Sequence, residues 1–344
     1  MSPPEAFEGP GQDGSRPARR GDVWAIVLAG GEGARLRPLT RLLYGRARPK
    51  QYAALTDSRS LLRHTLDRVS LGIPQVRTVV VTLRSHAGYM AEERDAGCAP
   101  RVLVQPSDRG TAAGVLFPAH WIYRRDPEAR VVVFPSDHFI LEETLFMRHV
   151  MDVAGSVAST PDSMVLLGAQ PTGPETDYGW IEPGAPVAGA EGQWRQVRRF
   201  WEKPSEARAR LCLNRGCLWN TLTLVTTAAA LVRVGQQYLP ALSDRLFHLA
   251  PFLGTEDEPW ALQQAYALAP QENFSRAVLE ACPPCLAVSR LPAITWSDWG
   301  TPERVLQSLE QAQIRPDWVR PVRVSGNGAT EGPGRSSDLR KASH

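Results

Sequence analysis

The chain has 344 residues, of which 43% are hydrophobic and 22% are charged, and its formal net charge is +3. This balance is typical of a globular protein and excludes wholesale disorder. No segment approaches the roughly 20 apolar residues that a membrane span needs, and the N-terminal sequence lacks the apolar core of a secretory signal. The small net charge gives no indication of nucleic-acid binding. We therefore expect neither a membrane nor a nucleic acid as a partner.

The five cysteines are few and scattered, so they do not indicate a disulfide framework and fit a reducing cytoplasm. Cys282 and Cys285 have the CxxC spacing of redox sites. The two prolines between them, and the lack of a thioredoxin-like strand before them, favour a simple loop. Cys98, Cys212 and Cys217 are expected to be small buried apolar residues.

Both ends of the chain are rich in Pro, Gly and charged residues without periodicity. We predict disordered tails over 1–21 and 317–344, around one domain over 22–316.

The first half of this domain alternates predicted strands and helices. The strands are predicted over 23–28, 76–83, 101–105, 130–134 and 163–169, and the helices over 61–69, 85–96, 112–123 and 142–158. Strands separated by helix-length segments pair in parallel through right-handed crossovers. The pattern predicts an α/β fold with a doubly wound, mostly parallel, Rossmann-like sheet.

In the second half, the regular alternation of strands and helices ends. Strands are predicted over 177–182, 194–201 and 218–226, and helices over 205–213, 227–237, 260–269 and 301–313, the last with Thr301 as N-cap and Pro302 in its first turn. We expect a smaller, β-rich portion here.

A glycine-rich segment, LAGGEGARLRP (28–38), follows the first predicted strand. Gly30, Gly31 and Gly33 let a polyphosphate approach the backbone amides closely, and Arg35 offers a fork for phosphate oxygens. A tight structural turn is the alternative interpretation. The dinucleotide fingerprint is excluded because Leu36 stands where it needs a third glycine, and the GxxxxGK[ST] loop is absent.

Lysine is rare in this chain: of 39 basic residues, only Lys50, Lys203 and Lys341 are lysines. Lys341 lies in the predicted C-terminal tail. A lysine retained against such a bias is a candidate for a role that needs a compact ammonium group, which a planar guanidinium cannot replace. Lys50 and Lys203 are therefore candidate functional residues, with chance survival as the alternative.

Asp137 directly follows the strand predicted over 130–134. Ligands of open parallel sheets bind at the carboxyl ends of strands, and a carboxylate there can hold Mg²⁺. The alternative is a helix N-cap. We expect the adjacent His138 to be an orienting or core group.

Together, LAGGEGARLRPLT and the following PKQY resemble the signature of sugar-phosphate nucleotidylyltransferases, and among them the mannose-1-phosphate guanylyltransferases. Six further segments that resemble this family follow in its order: QPSDRGTAAG, VVVFPSDHFI, GAQPTGPETDYGWIE, VRRFWEKPS, LWNT and ITWSDWGTPERV. The resemblance implies the nucleotide-diphospho-sugar transferase type of fold. It also implies transfer of a nucleotidyl group from a nucleoside triphosphate, GTP favoured, to a sugar 1-phosphate, mannose 1-phosphate favoured.

The resemblance assigns roles to residues of this sequence. It implies catalytic roles for Arg35, Lys50, Asp137 and Lys203, and Mg²⁺ as cofactor, held by Asp137 and Asp298. It implies nucleotide binding by Leu28, Ala29, Gly30, Gly31, Gly33, Arg35, Lys50, Gln105, Arg109, Gly110 and Thr111. It implies sugar-phosphate binding by Tyr178, Gly179, Glu202, Lys203 and Asn220. A homodimer is left open.

Two alternatives remain. One is a thymidylyl- or uridylyltransferase that acts on another hexose 1-phosphate, and the other is a non-catalytic sugar-nucleotide sensor. The sequence departs from the family pattern at Gly110, where Asn is usual, and at Asp177, where Gly usually precedes the tyrosine. These departures concern the base and the sugar more than the reaction.

Overall fold

A computed structural model of the chain describes residues 22–94, 100–188 and 194–319. The predicted tail 1–21, most of the predicted tail 317–344, and Cys98 lie outside the described residues. The strands are β1 Val23–Leu28, β2 Thr78–Leu83, β3 Arg101–Gln105, β4 Arg130–Pro135, β5 Phe139–Ile140, β6 Met164–Ala169, β7 Gly179–Pro186, β8 Trp194–Glu202, β9 Leu218–Thr227, β10 Leu286–Arg290 and β11 Trp296–Ser297. The α-helices are α1 Arg37–Tyr44, α2 Leu61–Ser70, α3 Ala87–Arg94, α4 Gly110–Arg125, α5 Glu143–Val157, α6 Glu206–Asn214, α7 Ala228–Tyr238, α8 Pro240–Leu249, α9 Glu258–Ala267 and α10 Pro302–Gln311.

In the described part of the chain, nine strands form one sheet in the order β3-β2-β1-β4-β9-β6-β10-β8-β7. Parallel pairs join β3 to β2, β2 to β1, β1 to β4, and β6 to β10. Antiparallel pairs join β9 to β4 and β6, and β8 to β10 and β7. Only β8 and β9 therefore run against the other strands of this sheet. The predicted α/β fold with a mostly parallel sheet and a β-rich second portion is confirmed.

The sheet is covered on both faces, which explains the apolar runs that predict its central strands. One buried cluster packs β1, β2 and β4 against α4, α7 and α8, and includes Ile26, Phe117 and Leu231. The other packs the opposite face against α2 and α5, and includes Val27 and Phe146. Strands buried on both faces are typically continuous apolar segments rather than alternating ones.

A third buried cluster lies beside the sheet and joins α1 to α10. It includes Leu39 of α1 and Val305 of α10, together with Trp299, whose ring stacks on Phe139 with centroids 4.8 Å apart. The predicted cap of α10 is present, since Thr301 accepts a hydrogen bond from the Arg304 amide at 3.4 Å. This packing fixes the chain just after β11 against the beginning of the domain.

The predicted domain boundaries stay a prediction, and the structure adds one observation near the C-terminal one. Asp317–Val319 form a short 3-10 turn, and the Trp318 indole donates a hydrogen bond to the Leu55 carbonyl at 3.2 Å.

The cysteines differ in part from the expectation. Cys282 and Cys285 form a disulfide, with Cα atoms 5.8 Å apart, where the sequence favours a simple loop. The reason is local: a 3-10 turn over Pro283–Cys285 folds the segment back within reach of Cys282. Cys212 and Cys217 are free and buried, as predicted.

Candidate active site

The glycine-rich segment and Asp137 meet at the carboxyl ends of β1 and β4. The two strands pair in parallel with Leu28 opposite Pro135, so both chains leave the sheet at the same edge. The Ser136 hydroxyl fixes this junction by donating a hydrogen bond to the Leu28 carbonyl at 2.6 Å. The predicted position of Asp137 at a strand end is therefore confirmed, and the structure adds that this end lies beside the glycine-rich segment.

Neutral buried hydrogen bonds hold the glycine-rich segment in place. The Gln51 side-chain amide donates to the carbonyls of Ala29 at 2.9 Å and Gly31 at 2.8 Å. Gly33 has a left-handed backbone, with φ of 57°, and a Cβ there would lie 2.8 Å from the Lys50 Cβ. A glycine is thus required at residue 33, and the PKQY segment packs directly against the loop. Sequence analysis missed this role of Gln51.

Lys50 contacts two other predicted site residues. Its side chain is buried, and its Nζ lies 3.1 Å from Asp137 Oδ2. The same Nζ donates a hydrogen bond to the backbone carbonyl of Asp298. A buried ammonium group needs such partners, because an unpaired one is costly in an apolar environment. Asp137 and Asp298, far apart in sequence, are therefore brought together on one lysine.

The Asp298 carboxylate is surrounded by donors. Its Oδ1 accepts hydrogen bonds from the Tyr178 hydroxyl at 2.8 Å, the Gly300 amide at 2.9 Å and Arg304 at 3.2 Å. Burial raises the pKa of Asp298, but the charges of Lys50 and Arg304 and the Gly300 hydrogen bond together hold that pKa below its usual range. The group is therefore ionised at neutral pH.

Arg35 links the glycine-rich segment to the predicted sugar-binding segment. Its guanidinium lies 2.5 Å from Asp177 Oδ2 and 3.7 Å from Asp298 Oδ2. The Arg35 and Asp177 side chains are 47% and 42% exposed, so their ion pair is open to solvent and to an incoming anion. The unusual Asp177 thus engages the arginine that is predicted to contact phosphate.

The predicted sugar-binding residues also gather, where β7 pairs with β8 and β9. A Cβ on Gly179 would lie 3.1 Å from the Asn220 Cβ and 3.2 Å from Glu202 Oε2, so Gly179 permits their close approach. The pKa of Glu202 is raised above its usual value. Burial is the main cause and the nearby Glu280 adds to it, while Lys203 partly offsets both. Glu280 in turn accepts a hydrogen bond from the Glu202 amide at 2.6 Å.

Lys203 is held by its backbone rather than by its side chain. It has a left-handed conformation, with φ of 49°, that non-glycine residues rarely adopt. Its amide donates to the Tyr178 carbonyl at 3.2 Å, while the residue as a whole is exposed. Strain of this kind clusters at functional sites, where surrounding contacts maintain it.

The second predicted nucleotide segment is anchored to α9 and the chain that follows it. Tyr266 donates its hydroxyl to Gln105 at 3.1 Å, and Arg109 donates to the Tyr266 carbonyl at 2.9 Å. Thr111 accepts from the Phe274 amide at 2.9 Å. Gln105, Arg109 and Thr111 therefore have structural roles in the fold. Their contacts to a nucleotide stay predictions.

Gly110 departs from the family pattern for a reason that the structure makes clear. Its φ is 77°, and a Cβ there would lie 2.2 Å from the Glu272 carbonyl oxygen. No side chain fits at this position without moving the backbone of residue 272.

The His138 side chain is 13% exposed and mostly enclosed, which fits the expected orienting or core group. Burial lowers its pKa to about 4, so the ring is neutral at pH 7. Its ring packs edge-on against Trp296, with centroids 5.4 Å apart.

The donor chemistry at Asp137 and Asp298 suits Mg²⁺. Within the described residues, no group of three or more His, Cys, Asp or Glu side chains is arranged to enclose a metal ion. Mg²⁺, however, typically binds through one or two carboxylates, waters and substrate phosphates rather than in a protein cage. Asp137, with a side chain 30% exposed, contacts Lys50 Nζ, which also donates to the backbone carbonyl of Asp298, so these two residues would supply a partial ligand set of that kind.

Sequence analysis also missed Glu175 and Arg304. The Arg304 guanidinium contacts both Glu175 and Asp298 and lies over the Tyr178 ring, 4.5 Å from its centroid. The predicted cap at Thr301 was the available signal, because it places residue 304 in the first turn of α10, beside Asp298.

Comparison with known proteins places this arrangement in a family. The family model described as nucleotidyl transferase matches residues 24–313. The chain belongs to this nucleotidyl transferase family. The family predicted from the motifs is therefore confirmed.

Several relatives are similar to the chain over most of its length. The xanthan biosynthesis protein XanB of Xanthomonas campestris pv. campestris (strain B100) is 31% identical over 295 residues, which cover 84% of this chain and 60% of XanB. The mannose-1-phosphate guanylyltransferase of Sinorhizobium fredii (strain NBRC 101917 / NGR234) is 29% identical, with coverage of 83% and 54%. The chain thus spans about 60% or less of the length of these two relatives.

Solved structures support the fold. The structure named mannose-1-phosphate geranyltransferase from Thermus thermophilus has a TM-score of 0.70 and 27% identity, and the match covers 85% of this chain and 79% of that chain. A UDP-glucose pyrophosphorylase complexed with UDP-glucose has a TM-score of 0.54 at 12% identity, with coverage of 86% and 99%, which shows the fold alone. The nucleotide-diphospho-sugar transferase type of fold is confirmed.

Within the described ranges, no helix is both long and apolar enough to cross a bilayer.

Proposed function

We propose that the chain is an Mg²⁺-dependent mannose-1-phosphate guanylyltransferase. It joins GTP and mannose 1-phosphate into GDP-mannose and releases pyrophosphate. The observation that carries the proposal is that buried Lys50 contacts both Asp137 and Asp298 beside a glycine-rich loop, in a member of the nucleotidyl transferase family. The relative named mannose-1-phosphate guanylyltransferase supports the choice of substrates.

In the proposed reaction, a phosphate oxygen of mannose 1-phosphate attacks the α-phosphorus of GTP. The bond from that phosphorus to the oxygen bridging the α- and β-phosphates breaks, and pyrophosphate leaves with the electron pair. Both reactants are polyanions, so catalysis requires charge neutralisation and alignment more than proton transfer.

On the nucleotide side, the amides of the glycine-rich segment bind phosphate oxygens, and Arg35 binds the phosphates that leave. Lys50 neutralises the charge that develops on the α-phosphate and the leaving group. Its buried position supports this role, since a charge acts more strongly where water is excluded.

On the sugar side, Lys203 holds the phosphate of the sugar as the nucleophile. Glu202 accepts hydrogen bonds from ring hydroxyls, Asn220 both donates and accepts, and Gly179 lets the pyranose approach the backbone. Asp137 and Asp298 are the residues that would hold Mg²⁺, which when bound supplies Lewis-acid polarisation of the phosphoryl oxygens and a template for in-line attack.

The experiment that tests the proposal is a panel of GTP, ATP, UTP and dTTP against mannose 1-phosphate, glucose 1-phosphate and galactose 1-phosphate, scored by pyrophosphate release. We expect GTP with mannose 1-phosphate to give the highest kcat/KM. A preference for dTTP or UTP with another hexose would replace the proposal with a thymidylyl- or uridylyltransferase. Binding of a sugar nucleotide in calorimetry without turnover of any pair would indicate a sensor.

The proposal includes a cytoplasmic location and a homodimer. Trp260 in α9 is 61% exposed, and aromatic residues are enriched at protein interfaces. Light scattering of the purified protein, and of the Trp260→Glu variant, tests the dimer. Cell fractionation tests the location.

A further inference from the structure

The two oxygens of the Asp298 carboxylate have unequal surroundings. Oδ1 accepts the three hydrogen bonds from Tyr178, Gly300 and Arg304. For Oδ2, among the described residues, the one ion pair observed is the longer one to Arg35, at 3.7 Å. The carboxylate is therefore oriented, with one oxygen engaged by the protein and the other turned toward the proposed phosphate-binding side.

Arg304 is the charged donor among these three, and it also contacts the segment that contains Glu175 and Tyr178. Its side chain is 15% exposed, and it uses one terminal nitrogen for Asp298 and the other for Glu175, with Asp177 3.7 Å from that second nitrogen. Its guanidinium also lies over the Tyr178 ring. A planar fork can satisfy two carboxylates and a ring at once, whereas the single ammonium of a lysine cannot.

The backbone is adapted to this cluster. A Cβ on Gly300 would lie 2.4 Å from Asp298 Oδ2 and 3.0 Å from both Arg304 and Arg35 nitrogens. Only glycine leaves room there for the two arginines to approach the carboxylate. The capped first turn of α10 then presents Arg304 from a rigid element.

We propose that Arg304 is a positioning residue for the proposed reaction. It holds Oδ1 of Asp298 and so leaves Oδ2 as the oxygen that would be available to Mg²⁺, and through Glu175 and Tyr178 it fixes the proposed sugar-binding segment beside the same carboxylate. This inference rests on the proposed function, and it adds one residue that couples the metal-binding and sugar-binding sides of the site.

The test compares Arg304→Met, Arg304→Lys and Glu175→Gln with the wild type. In Arg304→Met, we expect kcat/KM for mannose 1-phosphate to fall about tenfold to a hundredfold and the Mg²⁺ concentration for half-maximal activity to rise several-fold. Glu175→Gln should raise the KM for mannose 1-phosphate and leave the Mg²⁺ midpoint unchanged, since it removes the charge of Glu175 and leaves the contact of Arg304 with Asp298 in place. Compared with Arg304→Met, Arg304→Lys should bring the Mg²⁺ midpoint closer to the wild-type value than it brings the KM for mannose 1-phosphate.

A second measurement does not depend on turnover. Electron paramagnetic resonance with Mn²⁺ alone should show weaker metal binding by Arg304→Met than by the wild type. The matched control is Arg233→Met, which removes an arginine paired with Asp162 at 2.7 Å on the distant surface of α7 and should change none of these values.

Each outcome decides one claim. Lack of turnover of GTP and mannose 1-phosphate by the wild type contradicts the proposed function, while the Mn²⁺ comparison still tests Arg304. Wild-type Mn²⁺ binding, Mg²⁺ midpoint and sugar-phosphate KM in Arg304→Met overturn the inference. If Arg304→Met does not fold, an Arg304→Lys variant equal to the wild type in both the Mg²⁺ midpoint and the KM overturns it as well.

Discussion

The glycine-rich segment 28–33 and the proposed sugar-binding segment 175–179 are linked through Arg35 and differ in how much charge holds them. The first is fixed by neutral side chains, with Gln51 donating to two carbonyls and Tyr52 donating to Ala29 at 3.3 Å. In the second, ion pairs from Arg35 to Asp177 and from Arg304 to Glu175 add to a neutral hydrogen bond from the Trp180 indole to the Glu175 carbonyl at 2.7 Å. Buried neutral hydrogen bonds are little affected by salt, whereas exposed ion pairs are weak and screened.

The two regions should therefore respond differently to substrate. The buried hydrogen bonds that shape the glycine-rich loop need no substrate. Under the proposed function, segment 175–179 shares Arg35 with the phosphates, so a bound triphosphate would compete for the same guanidinium. We therefore expect mutations in the first region to act through geometry and mutations in the second to act through charge.

The largest effect should come from breaking the geometry of the loop. Gly33→Ala places a Cβ 2.8 Å from the Lys50 Cβ in a left-handed backbone, so Lys50 must move. We expect kcat to fall about a hundredfold or more, since a displacement of about 1 Å of a catalytic group costs that much. Gly45→Ala is the matched control, because Gly45 also has a left-handed backbone, with φ of 69°, but a Cβ there meets nothing within 4 Å and the residue lies outside the proposed site. Equal kcat values for the two variants would contradict the account.

A smaller effect is expected on the charged side. Lys203→Ala and Lys203→Arg should both raise the KM for the sugar phosphate about tenfold to a hundredfold, the range for loss of a charge-assisted contact. The KM for the triphosphate should change much less. Steady-state kinetics with each substrate varied in turn measure both. An arginine variant as good as the wild type would show that a compact ammonium group is not needed.

The ion pair between the two regions should have a modest effect. Asp177→Asn frees Arg35 for phosphate, so we expect the KM for the triphosphate to fall about twofold to fivefold at low salt, the range for exposed pairs. The difference should vanish in about 1 M NaCl, where the Debye length is roughly 3 Å. Asp67→Asn is the control, because Asp67 pairs with Arg59 at 3.0 Å with similar exposure outside the site. A higher KM in Asp177→Asn would mean that Asp177 supports binding.

The smallest effect is expected from the ends of the chain. Deletion of residues 1–20 and 321–344 should leave kcat and both KM values essentially unchanged, because none of the site residues lies in them. Trp318, which bonds to Leu55, is retained by this design. A large loss of activity in the folded, truncated protein would show that an end of the chain completes the site or an interface.

Much of the neutral region could be predicted from the sequence. Apolar runs identified β1 and β4 and placed Asp137 at the carboxyl end of a strand, while its position beside the glycine-rich segment came from the pairing of β1 with β4. Lys50 was predicted on composition alone, as a rare lysine. Such features depend on local pattern and on topology, which the sequence expresses directly.

The charged region was harder to predict because its contacts join segments far apart in the chain. Asp298 was assigned only through the family resemblance, and Glu175 and Arg304 not at all, since an arginine in the first turn of a helix is ordinary by itself. The Cys282–Cys285 disulfide was missed for a related reason. Its formation depends on a 3-10 turn that the sequence CPPC does not specify.

The central claim is that Asp137 and Asp298 act on one Mg²⁺ where the two regions meet at Lys50. The most direct measurement is the Mg²⁺ dependence of turnover in Asp137→Asn and Asp298→Asn, with circular dichroism to verify folding. Asparagine keeps an oxygen that can accept the Tyr178 hydrogen bond and removes the charge. We predict that each variant folds, loses most of its turnover and needs more Mg²⁺ for the remainder. Wild-type turnover of Asp298→Asn with an unchanged Mg²⁺ requirement would contradict the claim and leave Asp137 as the only carboxylate for the metal.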